Sequence, residues 1–284
     1  MEELKRISSE ELKKQFFEIT NLYKPFLDIL CNPEKQKIYR NKYQYKGFEL
    51  SPSPIIFQPK ILFLGYNPAG GRDWKILQSK EYKPLEPHLE ECEPTFFRRN
   101  SARNGEWYEL NKQVKSSFPR KMVDLLYNLA ALIYPERNNE RYTNQKPFWA
   151  KDLYDGPMSL MFLNLYPIAT PSGKDLIKLC NKLRKENNVP EEWKANEWEV
   201  RKYMIRIMYK IVKLLHPQLI VCLGSQTFHD YTYTTREKHS LNEILVYSSQ
   251  IIGFSRKGAW ENNLDNIAHA IYERIQTTRP NDIL

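Results

Sequence analysis

The sequence predicts an α/β fold, with a three-layer α/β/α arrangement around a central four-stranded, mostly parallel sheet. Two observations support this prediction. Short, continuous apolar runs, which are typical of strands buried on both faces of a parallel sheet, recur at 60–64, 160–167, 218–224 and 250–255. Segments with helical periodicity lie between these runs, and strands that alternate with helices predict a parallel sheet with helical crossovers.

The predicted helices follow from the spacing of apolar residues and from local capping signals. Apolar side chains keep a helical spacing from Glu10 to Leu30, and Pro25 predicts a kink or a division in that helix. Ser172 predicts the N-cap of the helix that follows the second strand. Helices with one apolar face are predicted over 121–134, 175–186, 200–215 and 262–275.

The 284 residues are enough for one large domain, and no internal repeat or low-complexity tract divides them. We expect an N-terminal helical extension over 1–58 that packs on the core, an α/β domain over 59–276, and a flexible tail over 277–284. No run approaches the roughly 18 apolar residues of a membrane span, and the charged N-terminus does not resemble a secretory signal. A cytoplasmic protein without membrane contact is therefore expected.

The cysteines and the net charge limit which cofactors and partners are expected. Cys31, Cys92, Cys180 and Cys222 are scattered without the spacing of a zinc or iron–sulfur site, so we interpret them as reduced and structural. The formal net charge is +9. Cations concentrate between residues 98 and 121, and the interleaved aromatic rings favour nucleic acid, although such a run is equally typical of a solvated face. The cations are Arg98, Arg99, Arg103, Lys112, Lys115, Arg120 and Lys121.

Three predicted strand ends should meet in one cleft, because ligands of open α/β sheets bind outside the carboxyl ends of the strands. These ends are residues 66–71, 164–171 and 254–260. They offer amides, prolines, serine and aromatic rings. The stretch GYNPAGG lacks the glycine spacing of a phosphate-binding loop. The stretch GSQTF does not match GxSxG, the motif that presents a nucleophilic serine in hydrolases. These segments also contain no pair of carboxylates of the kind that catalyses glycoside hydrolysis.

Four motifs together resemble the uracil-DNA glycosylase superfamily, nearest its single-strand-selective and mismatch-specific branches. They are GYNPAGG, FLNLYP and FSRKGAW, which lie at the ends of predicted strands, and IVCLG, which forms a predicted strand itself. The resemblance implies a uracil-DNA glycosylase-like fold and a monomeric DNA repair enzyme without metal or cofactor. It would flip a uracil-like or C5-modified pyrimidine from single- or double-stranded DNA, cleave its N-glycosidic bond by water attack and leave an abasic site.

The resemblance also implies roles for individual residues. Asn67 would position the attacking water and Asn164 would hydrogen-bond the flipped base, while Ser255 and Arg256 would belong to the last catalytic motif. The further substrate contacts implied are Gly65, Tyr66, Pro68, Ala69, Phe96 and Phe97, and the further DNA contacts are Arg98, Arg99, Lys257 and Trp260. From the residues alone, Asn67 could equally be a turn residue and Asn164 a strand-end cap.

Two positions depart from the family pattern. Gly253 stands where the family has a histidine that stabilises the departing base. Three alternatives follow: a slower enzyme, a replacement donor such as Arg256, or a nucleic-acid-binding protein that does not cut. Ala69 stands where the uracil-specific branch has a tyrosine that blocks 5-substituted bases, so a pyrimidine with a C5 substituent is expected to fit.

Overall fold

The computed structural model describes residues 9–51, 55, 57–68, 117–135, 160–236, 251–253 and 264–277. Within these residues, helices surround a parallel sheet. This arrangement confirms the predicted mixed α/β class.

The sheet has the strand order β2-β1-β3-β4, and every described pair is parallel. Its body consists of β1 (Ile61–Gly65), β2 (Leu160–Asn164) and β3 (Leu219–Cys222), and a short segment, β4 (Ile251–Gly253), pairs with β3. Because the strands are parallel, their carboxyl ends lie along one side of the sheet, which we call the carboxyl edge. Gly65 pairs with Asn164 at this edge.

The N-terminal helices are α1 (Ser9–Thr20), α2 (Lys24–Leu30) and α3 (Pro33–Tyr43). Pro25 lies in the first turn of α2, where its missing N–H is harmless, so the long apolar pattern is divided as predicted. Helix α3 was not predicted. Its N-cap is Asn32, whose side chain accepts hydrogen bonds from the backbone N–H groups of Glu34 and Lys35.

The remaining described helices are α4 (Ser117–Ile133), α5 (Gly173–Leu183), α6 (Glu197–Leu215), α7 (Ser225–Arg236) and α8 (Leu264–Thr277). The Ser172 hydroxyl accepts a hydrogen bond from the backbone N–H of Asp175 at 3.3 Å and so caps α5 as predicted. Helix α7 follows β3 and was not predicted. Its sequence is rich in threonine and aromatic residues, which are poor helix formers.

The two faces of the sheet bury separate apolar clusters. One cluster contains Leu62, Leu64, Met161, Leu163 and side chains of α1, α2, α3, α5 and α6. The other contains Ile61, Phe63, Leu160, Phe162 and side chains of α4 and α8. Alternate residues of β1 and β2 thus enter opposite cores, which explains why these two strands read as continuous apolar runs.

The segment 46–51 runs antiparallel to β2 and the turn after it. Its backbone exchanges hydrogen bonds with residues 164–169, including Ala169 N–H to the Gly47 carbonyl at 2.7 Å and Glu49 N–H to the Pro167 carbonyl at 2.7 Å. The Ser51 hydroxyl donates to the Phe162 carbonyl at 2.7 Å. The outer side of β2 is therefore covered by residues from the N-terminal part of the chain.

A partly buried ion pair joins α3 to the segment that follows α5. The Glu186 carboxylate, whose side chain is 8% exposed, accepts hydrogen bonds from Lys35 at 2.5 Å and from Lys182. Burial alone would raise the pKa of this carboxyl, but the two lysines outweigh it and lower the pKa of Glu186 to about 2.

This pKa shift gives a pH-dependent contribution to stability. Because the pKa of Glu186 is lower in the folded chain than in the unfolded chain, the contribution is present above pH 4.5 and is lost as the pH falls toward 2. We expect Glu186→Gln to lower the free energy of unfolding by about 1–2 kcal/mol at pH 7 and to lose this effect near pH 2. Urea unfolding at a series of pH values measures both quantities.

The matched control is Glu191→Gln. Glu191 pairs with Lys194 at 2.6 Å, but its side chain is 85% exposed, so we expect a loss of at most about 0.5 kcal/mol at any pH. Equal losses for the two variants at pH 7 would contradict the assigned role of Glu186.

Candidate functional site

Two neighbouring strands place polar side chains at the carboxyl edge. Gly65 ends β1 and is followed by Tyr66, Asn67 and Pro68, while Asn164 ends β2 directly opposite Gly65. The structure thus brings these five predicted site residues to one edge. Gly253, the last residue of β4, pairs with Cys222 at the same edge.

The other predicted site residues lie outside the described part of the chain. They are Ala69, Phe96, Phe97, Arg98, Arg99, Ser255, Arg256, Lys257 and Trp260. Their roles stay predictions.

Asn67 is held through its amide nitrogen. The Nδ2 group donates hydrogen bonds to the Thr170 carbonyl at 3.1 Å and to the Thr170 hydroxyl at 2.9 Å, and it lies 3.5 Å from the Ile168 carbonyl. The Thr170 hydroxyl in turn donates to the Ser172 carbonyl at 2.9 Å. These contacts fix the orientation of the half-buried amide, whose Oδ1 is a hydrogen-bond acceptor.

Asn164 is oriented by the segment 46–51. Its Nδ2 group donates to the Glu49 carbonyl at 3.0 Å, and its backbone N–H donates to the Leu50 carbonyl at 3.0 Å. A Cβ atom at Gly65 would lie 3.3 Å from Asn164 Oδ1. Because Gly65 has no side chain, the Asn164 carbonyl oxygen can occupy the space next to the end of β1.

Tyr66 is packed between the turn after β2 and the start of α5. Its ring meets the Tyr166 ring edge-on with centroids 4.9 Å apart. A Cβ atom at Gly173 would lie 3.0 Å from Tyr66 Cε1, so a side chain there would displace the ring. Burial, together with the charge of Asp230, raises the pKa of Tyr66 to about 12. Tyr66 is therefore a neutral hydrogen-bond donor at pH 7 and not a base.

These contacts define what the edge can do chemically. The carbonyl oxygens of Asn67 and Asn164 can accept hydrogen bonds from water or from an N–H group, and neither can take up a proton as a carboxylate does. Among the described residues, no three His, Cys, Asp or Glu side chains come together as a possible metal site. None of the described helices is both long and apolar enough to cross a bilayer.

Sequence reasoning missed the partners that orient the two amides. Thr170 and the Glu49 carbonyl hold Asn67 and Asn164, but a fully buried threonine four residues beyond Tyr166 gives no recognisable pattern. A buried pair, Arg201 of α6 and Asp230 of α7, was missed as well. The available signal was Arg201 itself, a charged residue on the otherwise apolar face of α6.

The bond between Asn67 and Thr170 can be tested by Thr170→Val, which removes the hydroxyl and keeps the shape of the side chain. Asn67 then loses one acceptor and the Ser172 carbonyl loses its donor, so we expect the free energy of unfolding to fall by about 1–2 kcal/mol. Thermal or urea unfolding measures this loss.

Thr20→Val is the matched control. Thr20 is also fully buried, but its hydroxyl only donates to the Phe17 carbonyl within α1 at 3.1 Å. We expect a change of about 0.5 kcal/mol or less. If both variants lose the same stability, the Asn67 contact contributes nothing measurable.

No protein-family model matches this chain, and neither a curated protein nor a solved structure matches it. What the carboxyl edge does must therefore be inferred from its own chemistry and from the motifs that it carries.

Proposed function

We propose that the chain is a monofunctional DNA N-glycosylase that releases a flipped uracil-like or C5-modified pyrimidine and leaves an abasic site. One observation carries this proposal. The amide nitrogen of Asn67 is bound to Thr170, which sets the orientation of its acceptor Oδ1 at the carboxyl edge where Asn164 ends β2. The motif resemblance assigns these two asparagines to the attacking water and to the base.

In this reaction Asn67 positions the nucleophile. A water molecule that donates one hydrogen bond to Asn67 Oδ1 keeps a lone pair free to attack the deoxyribose C1′. The C1′–N bond breaks with its electron pair leaving on the base, and as the new C1′–O bond forms the water proton passes through solvent to the departing base anion. Because a neutral amide cannot accept that proton, Asn67 contributes position and not general-base catalysis.

Asn164 is suited to read the edge of a pyrimidine. One hydrogen of its Nδ2 group binds the Glu49 carbonyl, so the second hydrogen and Oδ1 remain for a ligand. An adjacent carbonyl and N–H group, as in the O4 and N3–H of uracil, complement this pair. Cytosine presents the reverse pattern, an amino group beside an acceptor nitrogen, and would be disfavoured.

Binding to DNA is supported by charge. The net charge of +9 favours a polyanion, and the cation-rich stretch over 98–121 includes the predicted DNA contacts Arg98 and Arg99. Flipping of the base costs a few kcal/mol in a duplex and less in a single strand, so either form of DNA remains a possible substrate.

A second candidate is a nucleic-acid-binding protein with weakened catalysis on the same scaffold. The observation that favours it is Gly253 at the carboxyl end of β4, where the motif resemblance places a histidine. A glycine has no side chain with which to stabilise the departing base. In the glycosylase proposal, either Arg256 replaces the histidine as donor or the enzyme is slower.

Base release from labelled oligonucleotides separates the two candidates. Single- and double-stranded DNA would carry uracil, 5-hydroxymethyluracil or modified cytosines, and the product would be detected as an abasic site. We expect release of one or more bases, and we expect Asn67→Ala to lower the rate by about 100-fold or more because the water loses its position.

The matched control is Asn41→Ala, which removes an exposed asparagine of α3 and should leave the rate within twofold. Asn67→Ala at the wild-type rate would remove the basis of the proposal. No release from any substrate, together with salt-sensitive DNA binding, would instead support the binding protein.

The size of the residue at position 69 should set tolerance for C5 substituents. We expect Ala69→Tyr to lower kcat/KM for 5-hydroxymethyluracil relative to uracil by about tenfold or more, because the added ring would occupy the space of the substituent. The ratio of the two kcat/KM values is measured in competition. An unchanged ratio would show that residue 69 does not face C5.

A further inference from the structure

A buried carboxylate lies beside the carboxyl edge without a role in the reaction described above. Asp230 of α7 accepts hydrogen bonds from the Tyr166 hydroxyl at 2.6 Å, from Gln226 Nε2 at 2.6 Å and from Arg201 Nη1 at 3.3 Å. Asp230 is 5% exposed and Arg201 is 9% exposed. We call these four residues the Asp230 cluster.

Stability alone is a weak explanation for the cluster. Desolvation of two buried charges largely offsets their attraction, and apolar residues of similar volume often serve a core equally well. Arg201 is also held from its other side, because Nη2 lies 3.7 Å from Glu197 Oε1 and the guanidinium lies 4.5 Å from the Trp198 ring centroid. The result is one fixed orientation for the donors around Asp230.

The cluster is connected to the candidate site through two tyrosines. Tyr166 lies two residues after Asn164, its backbone N–H donates to the Tyr66 carbonyl at 2.9 Å, and its ring meets the Tyr66 ring edge-on. Tyr66 directly precedes Asn67. A shift of the Tyr166 ring would therefore move the Tyr66 ring and the backbone that carries the Asn67 side chain.

The direction of the bond between Tyr166 and Asp230 is fixed. Burial, reinforced by the charge of Asp230, raises the pKa of the Tyr166 hydroxyl well above its usual range. The hydroxyl therefore keeps its proton and donates to the carboxylate throughout the physiological pH range.

We propose that Asp230 is a positioning residue of the candidate site, which acts through Tyr166 and Tyr66 to hold the Asn67 amide against Thr170. Its effect on catalysis rests on the proposed glycosylase function. Its effect on the geometry of Asn67 does not depend on that function.

A double-mutant cycle tests the catalytic part. Tyr166→Phe removes only the hydroxyl that reaches Asp230, and we expect kcat for base release to fall about 10- to 100-fold while KM and DNA affinity change less than twofold. In the Asn67→Ala background the same substitution should have no further effect, because the residue that it positions is gone. Equal losses in both backgrounds would overturn the proposal.

Tyr23→Phe is the matched control. Tyr23 is fully buried and its hydroxyl lies 3.5 Å from the Met204 carbonyl, in the core between α1, α2 and α6. We expect it to leave kcat within twofold. If Tyr23→Phe lowers kcat as much as Tyr166→Phe, the loss reflects general core damage and the proposal fails.

A measurement without substrate separates this inference from the proposed function. The Asn67 side-chain amide hydrogens are followed by NMR, and we expect them to exchange with solvent at least tenfold faster in Tyr166→Phe and in Asp230→Asn than in the wild type or in Tyr23→Phe. Unchanged exchange would overturn the inference even in an active glycosylase. Faster exchange in a chain that releases no base would leave the inference standing and the proposed function rejected.

A second variant covers the case in which Tyr166→Phe does not fold. Gln226→Leu removes one donor to Asp230 at an exposed position of α7. We expect a smaller increase in Asn67 exchange, about two- to fivefold, and no increase would count against the proposal.

Discussion

The parallel register between β1 and β2 is the constraint on which the carboxyl edge depends. Each strand is buried on both faces, and its alternate residues enter different cores. A slip of one residue would exchange those faces and would move Asn164 away from Gly65, so the packing of the two cores fixes the position of the polar side chains. The positions of the Leu, Ile and Phe residues in the strands therefore determine where the polar side chains of the site lie.

The two asparagines at the carboxyl edge are oriented in the same way. In both, the amide nitrogen binds a backbone carbonyl of a neighbouring segment, Thr170 for Asn67 and Glu49 for Asn164. An unrestrained amide can rotate and exchange its donor and acceptor ends, whereas these two have their orientation set by the protein. The orientation of both carbonyl oxygens is thereby set by the folded chain itself, which is the preorganisation that the proposed reaction would use.

Features encoded by neighbouring residues could be predicted from the sequence. The apolar strands, the helices with one apolar face, the division at Pro25 and the Ser172 cap all depend on local pattern. The meeting of Asn67 and Asn164 at one edge followed from the rule for parallel sheets. Helix α7 was missed because its threonines and aromatic residues favour extended structure, and α3 was missed because it buries only Gln36 and Tyr39 and so shows no apolar stripe.

Individual side-chain contacts between residues far apart in the sequence could not be predicted. Tyr166 and Asp230 are 64 residues apart and Arg201 and Asp230 are 29 residues apart, so no local periodicity indicates their contact. The resemblance to known motifs identified candidate residues but gave no account of what holds them. Those supports come from packing, which a single sequence does not display.

The pairing of the segment 46–51 with β2 has a consequence for the order of folding. The contact between Asn164 and Glu49 joins residues 115 positions apart, and that between Asn67 and Thr170 joins residues 103 apart. Contacts of such long sequence separation form late, because the entropy of closing the chain must be offset by structure that already exists. During synthesis the turn that contains Asn67 leaves the ribosome long before Thr170 does. The candidate site therefore forms only after the central sheet has assembled, and no short fragment of the chain can form it.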